Sequence, residues 1–85
     1  MDTMDKILIE LYVPSINENY DVFIPTSRRI YEVENMLSKM IEELSLNRYS
    51  NNENILCYFE DGKIINRNLR VIDCKITNGT KLMLI

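Results

Sequence analysis

With 85 residues, of which 46% are hydrophobic and 27% charged, the chain has the composition of one folded domain rather than of a disordered segment. A formal net charge of -3 disfavours nucleic acid as a partner, because phosphate binding needs clustered Lys and Arg side chains. No stretch approaches the roughly 20 apolar residues that cross a bilayer, so direct membrane insertion is not expected. We therefore expect a single cytoplasmic domain over residues 1–85, with a disordered N-terminal extension at residues 1–5.

Two strands open the predicted fold. Residues 6–13 (KILIELYV) are rich in branched and aromatic apolar side chains and stop at Pro14, which cannot donate to a sheet ladder. After a polar turn at residues 15–19, residues 20–25 (YDVFIP) resume the alternation of apolar and polar side chains. Because the connection is short, the two strands are expected to form a hairpin.

An amphipathic helix is predicted next, over about residues 28–45. Its apolar residues recur at spacings of three and four, which is typical of a helix that buries one face. They are Ile30, Val33, Leu37, Met40, Ile41 and Leu44. The residues assigned to the opposite, polar face are Glu32, Glu34, Asn35, Ser38, Lys39, Glu42 and Glu43. Thr26 or Ser27 is predicted to cap the start, because a short hydroxyl side chain can accept from a backbone N–H of the first turn.

Three further strands are predicted in the second half of the chain, at residues 55–59, 63–65 and 80–85. The polar segment 46–54 is expected to be a loop that leads from the helix to the first of these strands. The second strand follows the Asp61-Gly62 turn. The order of elements is therefore strand, strand, helix, strand, short strand, apolar kink, strand.

This succession resembles the β-grasp, or ubiquitin-like, fold. The segments that carry the resemblance are Glu60 to Lys63, Val71 to Ile76 and Asn78 to Ile85, which look like the second half of ubiquitin, together with Ile30 and Val33 to Leu37, which resemble its helix. The resemblance implies an α+β fold in which a mixed sheet of four to five strands packs on one α-helix. Within that fold, the Asn78-Gly79 turn into a final apolar strand is similar to the YukD/EsaB family associated with type VII secretion in bacteria.

The end of the chain bears on one activity of this fold. Ubiquitin-like proteins that are conjugated or carry sulfur need a flexible C-terminal Gly-Gly whose carboxylate is adenylated. Here glycine occurs only at Gly62 and Gly79, and the sequence ends on Leu84-Ile85. We therefore expect neither conjugation nor sulfur transfer.

The sequence offers no pattern of catalytic, cofactor-binding or metal-binding residues. It contains no His, which removes the usual proton shuttle near neutral pH. Asp61 and Asp73 are most simply turn and cap residues, and Cys57 and Cys74 match neither a CxxC pair nor a disulfide framework. We therefore expect a protein that is not an enzyme, that needs no cofactor or metal ion, and whose cysteines are reduced structural thiols.

The remaining candidate for a functional site is the surface of the predicted sheet. If the helix covers one face of the sheet, strand alternation assigns the side chains to two sets. The inward set is Ile7, Ile9, Leu11, Val22, Ile24, Cys57, Leu82 and Leu84. The outward set is Leu8, Tyr12, Phe23, Leu56, Tyr58, Met83 and Ile85, with Lys6, Glu10 and Lys81 among them. A register error of one residue would exchange the two sets.

Contiguous exposed apolar patches of more than about a few hundred Å² mark interfaces. The residues predicted to bind a protein partner are Leu8, Tyr12, Leu56, Tyr58, Met83 and Ile85. Three of them, Tyr58, Met83 and Ile85, fall on positions that resemble the apolar recognition patch of ubiquitin. The alternative is that a loop or self-association covers this face.

The leading hypothesis is a ubiquitin-like adaptor without enzymatic or conjugating activity. The family resemblance implies that its partners are cytoplasmic parts of type VII secretion membrane components, such as the membrane-anchored ATPase, which would recruit it to the inner face of the membrane. One alternative is a small regulatory or effector subunit of a multicomponent enzyme. Another is a self-assembling structural subunit, in which the same patch would form a homodimer.

Overall fold

Four strands and a helix form in the predicted order in the computed structural model, which describes residues 5–49 and 54–85. The elements are β1 (Lys6–Val13), β2 (Glu18–Pro25), α1 (Ile30–Leu44), β3 (Leu56–Tyr58), a 3-10 turn (Val71–Asp73) and β4 (Lys81–Leu84). The predicted N-terminal extension, apart from Asp5, and residues 50–53 of the predicted loop lie outside the described residues.

The strands form one mixed sheet in the order β2-β1-β4-β3. β1 and β2 are an antiparallel hairpin in which Lys6 pairs with Pro25 and Val13 pairs with Glu18. β4 lies parallel to β1 in the centre of the sheet and antiparallel to β3 at its edge. The predicted β-grasp fold, a mixed sheet packed on one α-helix, is confirmed with four strands.

The predicted short strand at residues 63–65 does not form. Ile64 makes only an isolated bridge to Cys57. A tight turn, in which the Gly62 N–H donates to the Tyr58 carbonyl at 2.9 Å, brings the chain back along the edge of β3. Ile65 then enters the core, and its N–H donates to the Leu56 carbonyl at 3.0 Å. The segment therefore covers the edge of β3 instead of adding a fifth strand.

The core lies between α1 and one face of the sheet. Its apolar side chains come from every element, and the largest fully buried ones are Ile9, Leu11, Ile24, Ile30, Leu37, Ile41, Leu56, Leu82 and Leu84. Full burial of such a side chain contributes about 1.5 to 3 kcal/mol. This burial is the main reason that α1 is held against the sheet.

The prediction that Glu34 faces solvent is wrong. Glu34 is fully buried, because it lies one turn after Ile30 and one turn before Leu37 on the same side of α1. Its Oε2 accepts the Leu56 N–H at 3.0 Å, and its Oε1 accepts the Arg67 Nε–H at 2.8 Å. The carboxylate thus joins α1 to β3 and to the loop that follows β3.

The buried stripe of α1 is also rotated relative to the prediction. Ser38, assigned to the polar face, is buried, whereas Leu44, assigned to the apolar stripe, is exposed. The buried positions are Ile30, Val33, Glu34, Leu37, Ser38 and Ile41. Two polar side chains therefore occupy positions where periodicity alone expects apolar ones.

The predicted cap at Thr26 or Ser27 is wrong as well. The helix begins after Arg29, whose N–H donates to the Glu32 carboxylate at 3.0 Å. This hydrogen bond, followed by the nearby positive charge of Arg28, lowers the pKa of Glu32. Thr26 instead donates its N–H and its hydroxyl to the Asp5 carbonyl, which closes the open end of the hairpin.

Removing the charge opposite Glu34 provides a test of this buried contact. In Arg67→Met the Glu34 carboxylate stays buried without its cation, and we expect a loss of about 2 to 3 kcal/mol in the free energy of unfolding. The figure lies at the low end for buried ion pairs because the Arg67 side chain is itself 59% exposed. Urea denaturation measures it.

Arg28→Met is the matched control, since Arg28 is 58% exposed but its partner Glu32 is also partly exposed. This exposed pair should contribute less than about 1 kcal/mol. Equal losses of unfolding free energy in the two variants would show that burial of Glu34 does not increase the contribution of its ion pair to stability.

Candidate protein-binding surface

One face of the sheet is left uncovered by α1, and we call it the outer face. It comprises Lys6, Leu8, Glu10 and Tyr12 of β1, Asn19, Asp21 and Phe23 of β2, Cys57 of β3, Lys81 and Met83 of β4, and the flanking residues Phe59 and Ile85. Along β1, β2 and β4 these side chains alternate with more deeply buried ones. Cys57 of β3 is itself buried, between Met83 and the bridging residue Ile64. The sheet thus presents a mixed apolar and charged surface opposite the helix.

Four residues predicted as partner-binding do lie on the outer face. Directly paired residues share a face, so Met83 lies beside Tyr12 across the central parallel strands. Leu8 lies further along β1 and is 38% exposed, and Ile85 is exposed at the end of β4. The prediction therefore places these four side chains correctly, and their role in binding stays a prediction.

The orientation predicted for β3 is wrong by one residue. Leu56 pairs with Leu84 and is fully buried, and Tyr58 pairs with Leu82 and packs against the core. Cys57, predicted to point inward, pairs with Met83 on the outer face. The run 55–59 is apolar throughout, so no alternation in the sequence could fix its register.

An aromatic pair stands on the outer face. The Tyr12 and Phe59 rings meet edge to face, with centroids 5.9 Å apart and planes at 89°. Such a pair contributes about 0.5 to 1.5 kcal/mol beyond its buried area. Phe59 is missing from the predicted binding residues, although it is 42% exposed. Because residues two apart in a strand share a face, assigning Cys57 to the outer face also assigns Phe59 to it. The correct register of β3 would therefore have identified Phe59.

The Lys81 ammonium group contacts both this aromatic pair and the carboxylate of Glu10. Its Nζ lies 4.1 Å from the Phe59 ring centroid and 5.8 Å from that of Tyr12. The same Nζ lies 3.6 Å from the Glu10 carboxylate. A cation over an aromatic ring contributes about 0.5 to 1 kcal/mol at an exposed site. We call Tyr12, Phe59 and Lys81 the Tyr12–Phe59–Lys81 ridge. Its side chains are held by these contacts before any partner arrives, which reduces the entropic cost of binding.

Phe23 extends the apolar surface at the other end of the sheet. It is 62% exposed and lies beside Leu8 across the β1–β2 hairpin. Exposed aromatic residues are enriched in the buried centres of protein interfaces, where charged residues are depleted. Glu10 and Asp21 separate Phe23 from the Tyr12–Phe59–Lys81 ridge. The outer face therefore has two apolar areas with a charged strip between them.

The two thiols are poorly suited to nucleophilic chemistry. Burial raises the pKa of Cys57, and the negative charge of Glu34 raises it further. Burial likewise raises the pKa of Cys74, with a smaller effect from Asp73. A raised pKa leaves less thiolate, the reactive form, at neutral pH. Within residues 5–49 and 54–85, no three His, Cys, Asp or Glu side chains group together to hold a metal ion.

Across the described ranges, no helix has both the length and the apolar character needed to span a bilayer. α1 itself has only 15 residues and carries several charges.

Comparison with known proteins identifies the fold. No protein-family model matches the sequence, and no curated protein matches it. Among solved structures, the ubiquitin-like domain of the type VII secretion system protein EccD1 of Mycobacterium tuberculosis matches with a TM-score of 0.64 at 11% identity. That match covers 96% of this chain and 99% of that chain. The chain thus has a ubiquitin-like fold, as predicted.

Two further matches come from larger assemblies. A chain of the MycP5-free ESX-5 inner membrane complex matches with a TM-score of 0.69 at 10% identity, over 94% of this chain. The present chain spans only 20% of the length of that one. A chain of the toluene 4-monooxygenase HD complex with 4-bromobenzoate matches with a TM-score of 0.75 at 7% identity, over 94% of this chain and 96% of that chain. At these identities the likeness establishes the fold alone.

Thiol labelling tests the burial of Cys57. Cys57 is 1% exposed, between Met83 and the bridging residue Ile64, whereas Cys74 is partly exposed. In Cys74→Ser the remaining Cys57 should react with a thiol-specific reagent at least about ten times more slowly than Cys74 does in Cys57→Ser, because only local opening admits the reagent.

Both labelling rates should rise with pH through and beyond the ordinary thiol range, since the pKa of each group is raised and thiolate forms later. The rate is followed by absorbance of the released chromophore across a pH series. If Cys57 reacted as fast as Cys74 in the native protein, it would not be covered as described.

Proposed function

We propose that this chain is a ubiquitin-like adaptor of a type VII secretion system, which binds protein partners through the outer face of its sheet. The observation that carries the proposal is the Tyr12–Phe59–Lys81 ridge, a set of exposed or partly exposed side chains in contact with one another on the face that α1 leaves open. A soluble domain gains nothing in core packing from such a ridge. An exposed apolar surface of this kind is typical of an interaction site.

The binding residues in this proposal differ in part from those predicted from sequence. Leu8, Tyr12, Met83 and Ile85 remain, and Phe59 joins them because it forms the centre of the ridge. Leu56 is removed, since a fully buried side chain has no surface to offer. Tyr58 is removed as well, because its ring packs against the core and its hydroxyl accepts the Lys75 N–H.

The likeness to a ubiquitin-like domain of EccD1 and to a chain of the ESX-5 inner membrane complex supports the secretion context. In this proposal the partners are cytoplasmic parts of such a membrane complex, and they bring the adaptor to the inner face of the membrane. The role depends only on side chains of the sheet, so it requires neither conjugation nor catalysis.

A second candidate is a small subunit of a multicomponent enzyme. It is favoured by one observation, the match to a chain of about equal length in the toluene 4-monooxygenase complex. In that case the outer face would dock on an enzyme subunit instead of a secretion component. Neighbouring genes separate the two, since secretion genes favour the first and oxygenase genes the second.

A charge placed beside the Tyr12–Phe59–Lys81 ridge should weaken binding to the native partner. In Met83→Glu a carboxylate stands beside Tyr12, and loss of one central interface contact typically costs about 2 kcal/mol, or roughly thirtyfold in affinity. The measurement is quantitative capture of partners from the protein's own cells, with thermal unfolding as the check on folding.

The matched control is Met36→Glu, which introduces the same charge at an exposed methionine of α1. It should leave partner recovery unchanged. Normal recovery with folded Met83→Glu, together with loss in Met36→Glu, would move the binding site from the outer face to the helix.

A further inference from the structure

A cleft of about 820 Å³ opens next to the outer face, between the turn that follows β3 and the segment that precedes β4. Phe59 and Lys81 line the cleft and also belong to the Tyr12–Phe59–Lys81 ridge. The cleft and the outer face are therefore one continuous surface. A volume of several hundred Å³ suits a ligand much larger than a single ion.

The walls of the cleft are tied to each other. The Tyr58 hydroxyl accepts the Lys75 N–H at 3.2 Å and so joins β3 to the segment before β4. On the other wall, the Tyr58 N–H donates to the Lys63 carbonyl at 2.9 Å and the Gly62 N–H donates to the Tyr58 carbonyl at 2.9 Å. Because both walls are anchored on one residue, the shape of the cleft exists before a ligand binds.

Lysines are concentrated in this cleft, beside the carboxylates of Glu60 and Asp61, on a chain that is acidic overall. Three of its five lysines, Lys63, Lys75 and Lys81, line the cleft, while the net charge of the chain is -3. Lys81 is held by Glu10. Among the described residues, neither Lys63 nor Lys75 forms an ion pair, and both are exposed. Two ammonium groups thus remain available to an incoming carboxylate.

Two carboxylates also line the cleft and restrict what can bind there. Asp61 accepts the Lys63 N–H at 3.0 Å, so its charge is partly used within the turn, and Glu60 precedes it. A nucleic acid carries a phosphate at every nucleotide and would meet these carboxylates. A peptide can place acidic residues opposite Lys63 and Lys75 and apolar ones opposite Phe59.

We infer that this cleft binds an extended acidic segment of the partner protein, with carboxylates toward Lys63 and Lys75 and an apolar side chain on Phe59. The inference rests on the proposed function, because it names the chemistry of a partner that docks on the adjoining outer face. Complementary charge in such a groove speeds association and selects partners, and it is weakened by salt.

A peptide selection tests the inference without knowledge of the partner. Random dodecapeptides displayed on phage are selected against the intact protein, and the selected peptides are synthesised with a fluorophore for anisotropy. We expect an excess of Asp and Glu among them, and affinity that falls at least about tenfold toward 1 M salt, where the Debye length is about 3 Å. Selected peptides without acidic residues, or no selected peptides at all, would overturn the inference.

Charge reversal then locates the site. Lys63→Glu combined with Lys75→Glu should weaken the selected peptides at least about tenfold, because like charges would face each other. The control combines Lys39→Glu with Arg70→Glu, which changes the net charge equally at exposed positions outside the cleft lining, and it should weaken them less than about twofold. Equal losses in both double variants would refute a site in the cleft.

Two other anionic probes are run in the same assay, a thymidine oligonucleotide and vesicles of phosphatidylglycerol. Binding of either that depends on Lys63 and Lys75 and exceeds peptide binding would overturn the inference in favour of that ligand.

The native partner separates this inference from the proposed function. If Met83→Glu abolishes partner binding while the Lys63 and Lys75 double variant binds normally, the acidic segment is refuted and the adaptor role stands. If neither variant affects partner binding, the outer face itself is the wrong surface. Loss in both variants is the result we expect.

Discussion

The buried carboxylate of Glu34 is the contact on which the arrangement of the second half of the chain depends. The backbone N–H of Leu56 points away from β4, and the Glu34 carboxylate accepts it. The same carboxylate pairs with Arg67 in the loop that follows β3. An apolar side chain in its place would leave the Leu56 N–H buried without a partner, which costs about 1 to 3 kcal/mol. With Leu56 held to the helix side, Cys57 and Phe59 must face the opposite way. The composition of the outer face thus follows from a contact on the other side of the sheet.

A second constraint comes from the parallel pairing of β1 and β4. It brings Met83 beside Tyr12 and Lys81 beside Glu10, although these residues lie far apart in sequence. α1 covers only one face of the resulting sheet, so the side chains that this pairing brings together remain accessible. The Tyr12–Phe59–Lys81 ridge forms at this point, and the cleft adjoins it through Phe59 and Lys81. A surface of this kind joins an ordered apolar centre to a charged groove, which is the combination expected of a specific docking site.

Much of the fold could be predicted from sequence because local signals agreed with the final packing. β1 begins and ends at the predicted residues, and α1 lies within the predicted range, since alternation and helical spacing are strong there. The orientation of β3 could not be predicted from the uniformly apolar run 55–59. What fixes it is Glu34, which lies 22 residues away from Leu56, and no local pattern records such a contact. Glu34 was itself misassigned, because its cation Arg67 lies 33 residues further on.

The methionine methyl groups report directly on whether partners bind the outer face. Met83 stands on the outer face and Met36 is exposed on α1, so methyl NMR spectra of the free protein and of its complex with the captured partner compare the two surfaces in one sample. If partners bind the outer face, the Met83 methyl signal shifts or broadens on binding, while the Met36 signal keeps its position. A shift of Met36 with an unchanged Met83 would contradict binding at the outer face.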